Sequence, residues 1–217
     1  MEWNVRQAAL LLPALALTAV AVCGQTMPEW EAFPDPAPGG GGVGDATVTD
    51  PVGDTFGSGQ VQHDIIELSV AHDGVDLLMD IVFNDPISPP GSGAPDEVIG
   101  LFDIDTDQNA GTGITGGNVS IFCPQSVAFG VDFFVSCGSA GTCDVFDSSF
   151  MVVGSAAFSV TSDTLSLAVP LSVISDDGIA DVSVVVGTVP EPTDCAPDGG
   201  FVTSDLVPVE LMGFEVE

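Results

Sequence analysis

The stretch DIIELSVAHDGVDLLMDIVF, residues 64 to 83, constrains the fold more than any other part of the chain. Ile66, Leu68 and Val70 alternate with polar neighbours. After Asp73-Gly74 the alternation resumes at Val75, Leu77, Met79, Ile81 and Phe83. A period of two places one set of side chains on one face of a strand, and a two-residue Asp-Gly link joins two such strands antiparallel. The stretch therefore predicts a β-hairpin with one buried face. Similar runs follow at 98–104, 119–123, 127–136, 143–153, 164–169, 180–187 and 206–215, separated by Gly, Asp and Pro turns. No run keeps a helical period, although PLSVISDDG, residues 170–178, suits one helical turn. The expected fold is all-β: an antiparallel β-sandwich of about nine strands, jelly-roll-like or immunoglobulin-like, occupying residues 45–217 as one domain.

What surrounds that core is set by charge. The 217 residues include 32 acids and a single base, Arg6; there is no lysine. Charged residues are only 15% of the chain, below the quarter or so of ordinary globular proteins, so the net charge of −31 reflects missing cations. A hydrophobic content of 45% is enough for a core and argues against disorder. Nucleic acid and anionic lipid surfaces are excluded as partners, because phosphate binding rests mainly on Lys and Arg. Almost no internal salt bridge offsets self-repulsion, so salt or divalent cations must support the fold.

The N-terminus reads as an export signal. Arg6 precedes the apolar run AALLLPALALTAVAVC at 8–23, which is interrupted by Pro13 and short for a membrane span. VAVC, ending at Cys23, resembles the lipobox of bacterial lipoproteins, with Val22 where Gly, Ala or Ser is usual. Residues 1–24 are taken as the signal, with lipidation at Cys23 as the expectation and cleavage after Ala21 or Gly24 as the alternative. Residues 25–44, rich in Pro and Gly, form a tether. The expected location is outside the cytoplasm, as a surface lipoprotein or a freely secreted protein, touching a membrane only through the Cys23 anchor. Four cysteines remain, an even number that reads as two disulfides in an exported chain. Cys137 and Cys143 face each other across GSAGT in a predicted hairpin, which leaves Cys123 with Cys195. A zinc site is disfavoured because no CxxC spacing is present.

Two acidic stretches suggest calcium. FDIDTDQNAGTG, residues 102–113, puts Asp103, Asp105, Asp107 and Asn109 on alternate positions, where their oxygens can converge on one ion. The spacing opens like an EF-hand loop but departs from it at Gln108 and Ile114, so a strand-end calcium loop is expected instead. In TDPVGDTFGSGQVQHDIIEL, Asp50, Asp54 and Asp64 form a second cluster with His63 and Glu67 nearby, and Asp54 and Asp64, which bracket a Gly-rich loop, are its candidate ligands. The acids of SDDGIAD (Asp176, Asp177, Asp181) and PTDCAPDGG (Asp194, Asp198) are assigned to turn formation.

The run from DPVGDTFGSG through DIVF, followed by IGLFDIDTDQNAGTG, resembles secreted bacterial β-sandwich domains related to the DOMON superfamily and family 9 carbohydrate-binding modules. The resemblance covers residues 45–115. It implies a sandwich fold, calcium, and in some members a sugar or haem ligand. The residues give sugar binding little support: Tyr is absent, and Trp3 and Trp30 lie in the signal and the tether. Phe83, Phe102, Phe133 or Phe134, and Phe146 read as core. For haem, His72 and Met79 flank the hairpin turn, but Met79 falls among core positions. Nothing marks a catalytic centre: there are two histidines, no HExxH and no GxSxG. The expected function is that of a non-catalytic, calcium-stabilised extracellular module with a structural, adhesive or binding role. A glycan or cell-surface partner fits that role. A carbohydrate-binding module is the alternative, and a glycoside or other hydrolase a distant one.

Overall fold

The computed structural model describes residues 45–58, 61–115, 117, 119–123, 129–175, 178–188 and 191–205. The expected signal, Cys23, the tether and the run at 206–215 lie outside the described residues, as do Asp176 and Asp177. The chain is all-β and antiparallel, as the alternation predicts. Its strands are β1 (Ala46–Thr49), β2 (Ile65–His72), β3 (Asp76–Phe83), β4 (Ile99–Asp105), β5 (Ile114–Thr115), β6 (Gly130–Val131) and β7 (Phe133–Gly138). After these come β8 (Thr142–Asp147), β9 (Val152–Thr161), β10 (Thr164–Pro170), β11 (Ile179–Thr188), β12 (Glu191–Ala196) and β13 (Val202–Asp205). Short helices α1 (Val119–Phe122) and α2 (Leu171–Ile174) interrupt them; α2 is the helical turn expected at 170–178.

Ten strands are joined in the order β1-β2-β3-β10-β9-β8-β7-β4-β11-β12, with β13 pairing β11 as an eleventh, and β5-β6 form a separate ribbon. The count exceeds the nine expected, and the two layers are one curled sheet. The long strand β9 makes the connection: its first half pairs with β8 and its second half with β10. One core fills the fold, built from Leu68, Val70, Leu77, Met79 and Ile81 on one side and Phe102, Ile104, Val135, Val182 and Val184 on the other. Each such side chain contributes about 1.5–3 kcal/mol by leaving water.

The β2–β3 hairpin follows the predicted register with two departures. A bulge between Ile65 and Glu67 turns Ile65 into the core in place of Ile66. Val75, expected on the buried face, is 68% exposed. It belongs to the turn, where Asp73 Oδ1 accepts the N–H groups of Val75 and Asp76 and Gly74 takes φ +91°. Two other runs were misjudged. Residues 119–123 are mostly α1, with Ile121 and Phe122 exposed and Cys123 buried; a short apolar run does not distinguish helix from strand by period. The run 143–153 breaks into β8 and β9 where Asp147 Oδ1 collects the N–H groups of Ser149 and Met151.

Both disulfides are those expected. Cys137 and Cys143 are direct partners across β7 and β8, and Cys123 is tied to Cys195 on β12. The second bond packs with Val185, Leu101 and Phe56 on the outer side of the sheet. Phe133 packs against the main core, while Phe134 is buried in a second cluster with Phe129 and Val131, where Phe146 stacks on it.

Candidate metal centre

The chain's usual way to satisfy an acid is with backbone amides. Glu97, buried in the 84–98 loop, accepts N–H groups from Gly91 on one oxygen and Gly93 on the other. Two clusters hold more carboxylate oxygens than the amides around them satisfy.

The first gathers at the rim between β1, β2 and β12. Asp50 continues the β1–β2 ladder through its N–H to the Ile66 carbonyl, which carries its side chain inward. Gly53, at φ +86°, turns the chain and donates its N–H to both oxygens of Asp64. The following segment lies along β12: the Phe56 N–H bonds the Thr193 carbonyl, and Thr193 Oγ1 accepts from the His63 N–H and donates to the His63 carbonyl. That contact brings Asp194 to the start of β2, where its Oδ2 accepts the Ile65 N–H at 2.6 Å and its Oδ1 the Cys195 N–H. Ligand oxygens of Asp54, Asp64 and Asp194 then lie within 4.8 Å of one another, as do those of Asp50, Asp54 and Asp198. Asp194 and Asp198 were assigned to turns; Asp194 is a strand residue, and both join the candidate pair Asp54 and Asp64. The other two neighbours go elsewhere. His63 packs edge-on against Phe83 with its Nε2 at the Glu97 carbonyl, and burial pushes its pKa down. Glu67 is held in the β1–β2–β3 ladder.

The second cluster sits at the end of β4. Alternation sends Phe102 and Ile104 into the core, and Asp103 and Asp105 to the opposite face. Asp105 and Asp107 meet Asp132, again with ligand oxygens within 4.8 Å. Asp132 comes from the link between β6 and β7 and is placed by its own N–H on the Ile104 carbonyl. Its Oδ2 accepts the N–H and hydroxyl of Thr106. Sequence carried no signal for it, since the pairing of β4 with β7 creates the approach. Of the other two predicted ligands, Asp103 is not in this group and Asn109 spends its side-chain oxygen on a backbone amide, the Gly111 N–H. The Asp103 carboxylate lies where a side chain on Gly117 would stand. Asp181, also assigned to a turn, is a buried β11 residue opposite Asp105 and accepts the Thr203 hydroxyl.

These acids are held at an electrostatic cost. At 4.8 Å and an effective dielectric of about 20, two carboxylates repel by about 3 kcal/mol, so three charged acids cost roughly 10 kcal/mol. Burial first, then the charges of Asp194, Asp198 and Asp54, push the Asp50 pKa up to about 8. Burial, against two backbone N–H donors, brings Asp194 to about 7. Asp105 is raised by burial and then by Asp132 and Asp107. Among the described residues, several oxygens in the clusters are buried without a well-aligned hydrogen-bond partner: Asp50 Oδ2, both oxygens of Asp54, and Asp105 Oδ1. Such atoms call for a proton or a cation. Arg6, the only Lys or Arg in the chain, lies outside the described residues, so no described residue offers these oxygens a Lys or Arg partner. Oxygen-only donors of this kind suit a hard divalent ion.

A scan against protein-family models and a search of curated proteins both return no match to this chain.

Proposed function

We propose that this chain is a non-catalytic, exported β-sandwich module whose fold is stabilised by calcium and whose role is structural or adhesive. One observation carries the reading: both acid clusters bury carboxylate oxygens that have no hydrogen-bond partner among the described residues. Two disulfides support the oxidising compartment that an exported protein meets. The test is thermal unfolding at fixed ionic strength. Millimolar calcium should raise the Tm, magnesium should do so poorly, and a hundredfold excess of calcium over its dissociation constant adds about 2.7 kcal/mol per site. Asp105→Asn should remove the part of the rise due to the β4 site. If sodium chloride matches calcium, and Asp105→Asn responds as the wild type does, the acids are only a screened surface.

A second reading, a carbohydrate-binding module, draws on the outer aromatic cluster. Phe150 is 63% exposed and stands edge-on to Phe134, giving an apolar platform beside the stacked Phe134–Phe146 pair. A glycan array run with calcium present separates the two readings.

A further inference from the structure

The rim acids fall into two groups that share a residue. Asp54 belongs both to the set with Asp50 and Asp198 and to the set with Asp64 and Asp194. We infer that this rim holds a pair of calcium ions bridged by the Asp54 carboxylate. This rests on the calcium-stabilised reading above and goes beyond it in ion number and in the residues involved.

Three features lead there. Both oxygens of Asp54 are buried with no well-aligned hydrogen-bond partner among the described residues, and the side chain that crowds them is another acid, Asp198, so one oxygen can face each of two ions once the acids are deprotonated. Asp50 is 7% exposed and its Oδ2 is also unpartnered within the same set, so a buried ligand beyond the bridge faces the first ion. On the other side the Gly53 N–H holds Asp64, and the Ile65 and Cys195 N–H groups hold Asp194, so two ligands of the second ion are fixed in orientation before it binds. Charge points the same way. One divalent ion among five carboxylates leaves three negative charges uncompensated at close range, and two ions leave one. Carboxylate-bridged metals lie about 3.5–4 Å apart in two-metal sites, a separation one aspartate spans. The pair would join the β1–β2 loop to β12 and the segment after it, next to the Cys123–Cys195 bond.

The experiment counts calcium on the full exported chain by equilibrium dialysis in concentrated potassium chloride, where diffuse counterion binding is screened. Asp54→Asn should lose two ions per chain relative to wild type, whereas Asp50→Asn should lose one. If Asp54→Asn loses one ion or none, the bridge is overturned while the calcium-stabilised reading stands. If the wild type itself holds no calcium, both fall. Should Asp54→Asn not fold, manganese loaded into the wild-type chain decides the matter by electron paramagnetic resonance. A spin-coupled signal supports the pair, and isolated-ion signals alone at saturation overturn it.

Discussion

Removing divalent cations should expose the acid clusters as a pH dependence of stability. In the metal-free fold the Asp50 pKa is pushed up from 3.8 to about 8, and that of Asp194 from 3.8 to about 7. Both folded values lie above the unfolded ones, so between about pH 4 and pH 7 the folded chain binds more protons than the unfolded chain. The stability these groups contribute is therefore fully present below that window and is lost as pH rises through it. Each proton so linked is worth about 1.4 kcal/mol per pH unit. For a domain of this size that amounts to roughly 3–6 °C in Tm per pH unit for each group. Calcium should reverse the sign, because its ligands must be deprotonated and binding then strengthens as pH rises. The assay is thermal unfolding by far-UV circular dichroism at fixed ionic strength from about pH 5 to about pH 8, in calcium-stripped buffer and in millimolar calcium. General self-repulsion of an acidic chain has the same metal-free sign, so Asp50→Asn is the control. It should flatten the metal-free slope by about 1.4 kcal/mol per pH unit. A slope that Asp50→Asn leaves unchanged, or that calcium does not alter, refutes the reasoning.

Two further outcomes are expected. Replacing Cys123 and Cys195 with Ala should destabilise the fold by about 4 kcal/mol, and replacing Cys137 and Cys143 by about 2 kcal/mol, since the closed loops span 72 and 6 residues. Urea unfolding of the two double variants checks the order, and equal losses would contradict it. Mass spectrometry of the mature N-terminus should find a lipidated Cys23; an unmodified terminus at Val22 or Gln25 would mean a freely secreted protein.

The all-β class, the first hairpin, the helical turn at 171–174 and the Cys137–Cys143 bond were legible in the sequence because each depends on local spacing, and Cys123–Cys195, 72 residues apart, followed only as the pair left over. A period of two, an Asp-Gly turn and two cysteines six residues apart state their structure within a few residues. The break of 143–153 at Asp147 and the helix at 119–122 were not, because apolar runs read alike until a buried face selects among them.

The candidate site divides along the same line. Asp105 with Asp107, and Asp54 with Asp64, stood out because their spacing within one loop or across one is visible in the chain. Asp132, Asp181, Asp194 and Asp198 carried no such mark. Asp194 meets the Ile65 N–H from 129 residues away, and Asp132 reaches Asp105 only because β7 pairs with β4. The sequence by itself determined that this protein would be a strand-built chain with too few cations to neutralise its acids. Which acids were buried together, and therefore where a cation is needed, was decided only by strand order and register, since pairing between distant strands creates proximity that no local pattern encodes.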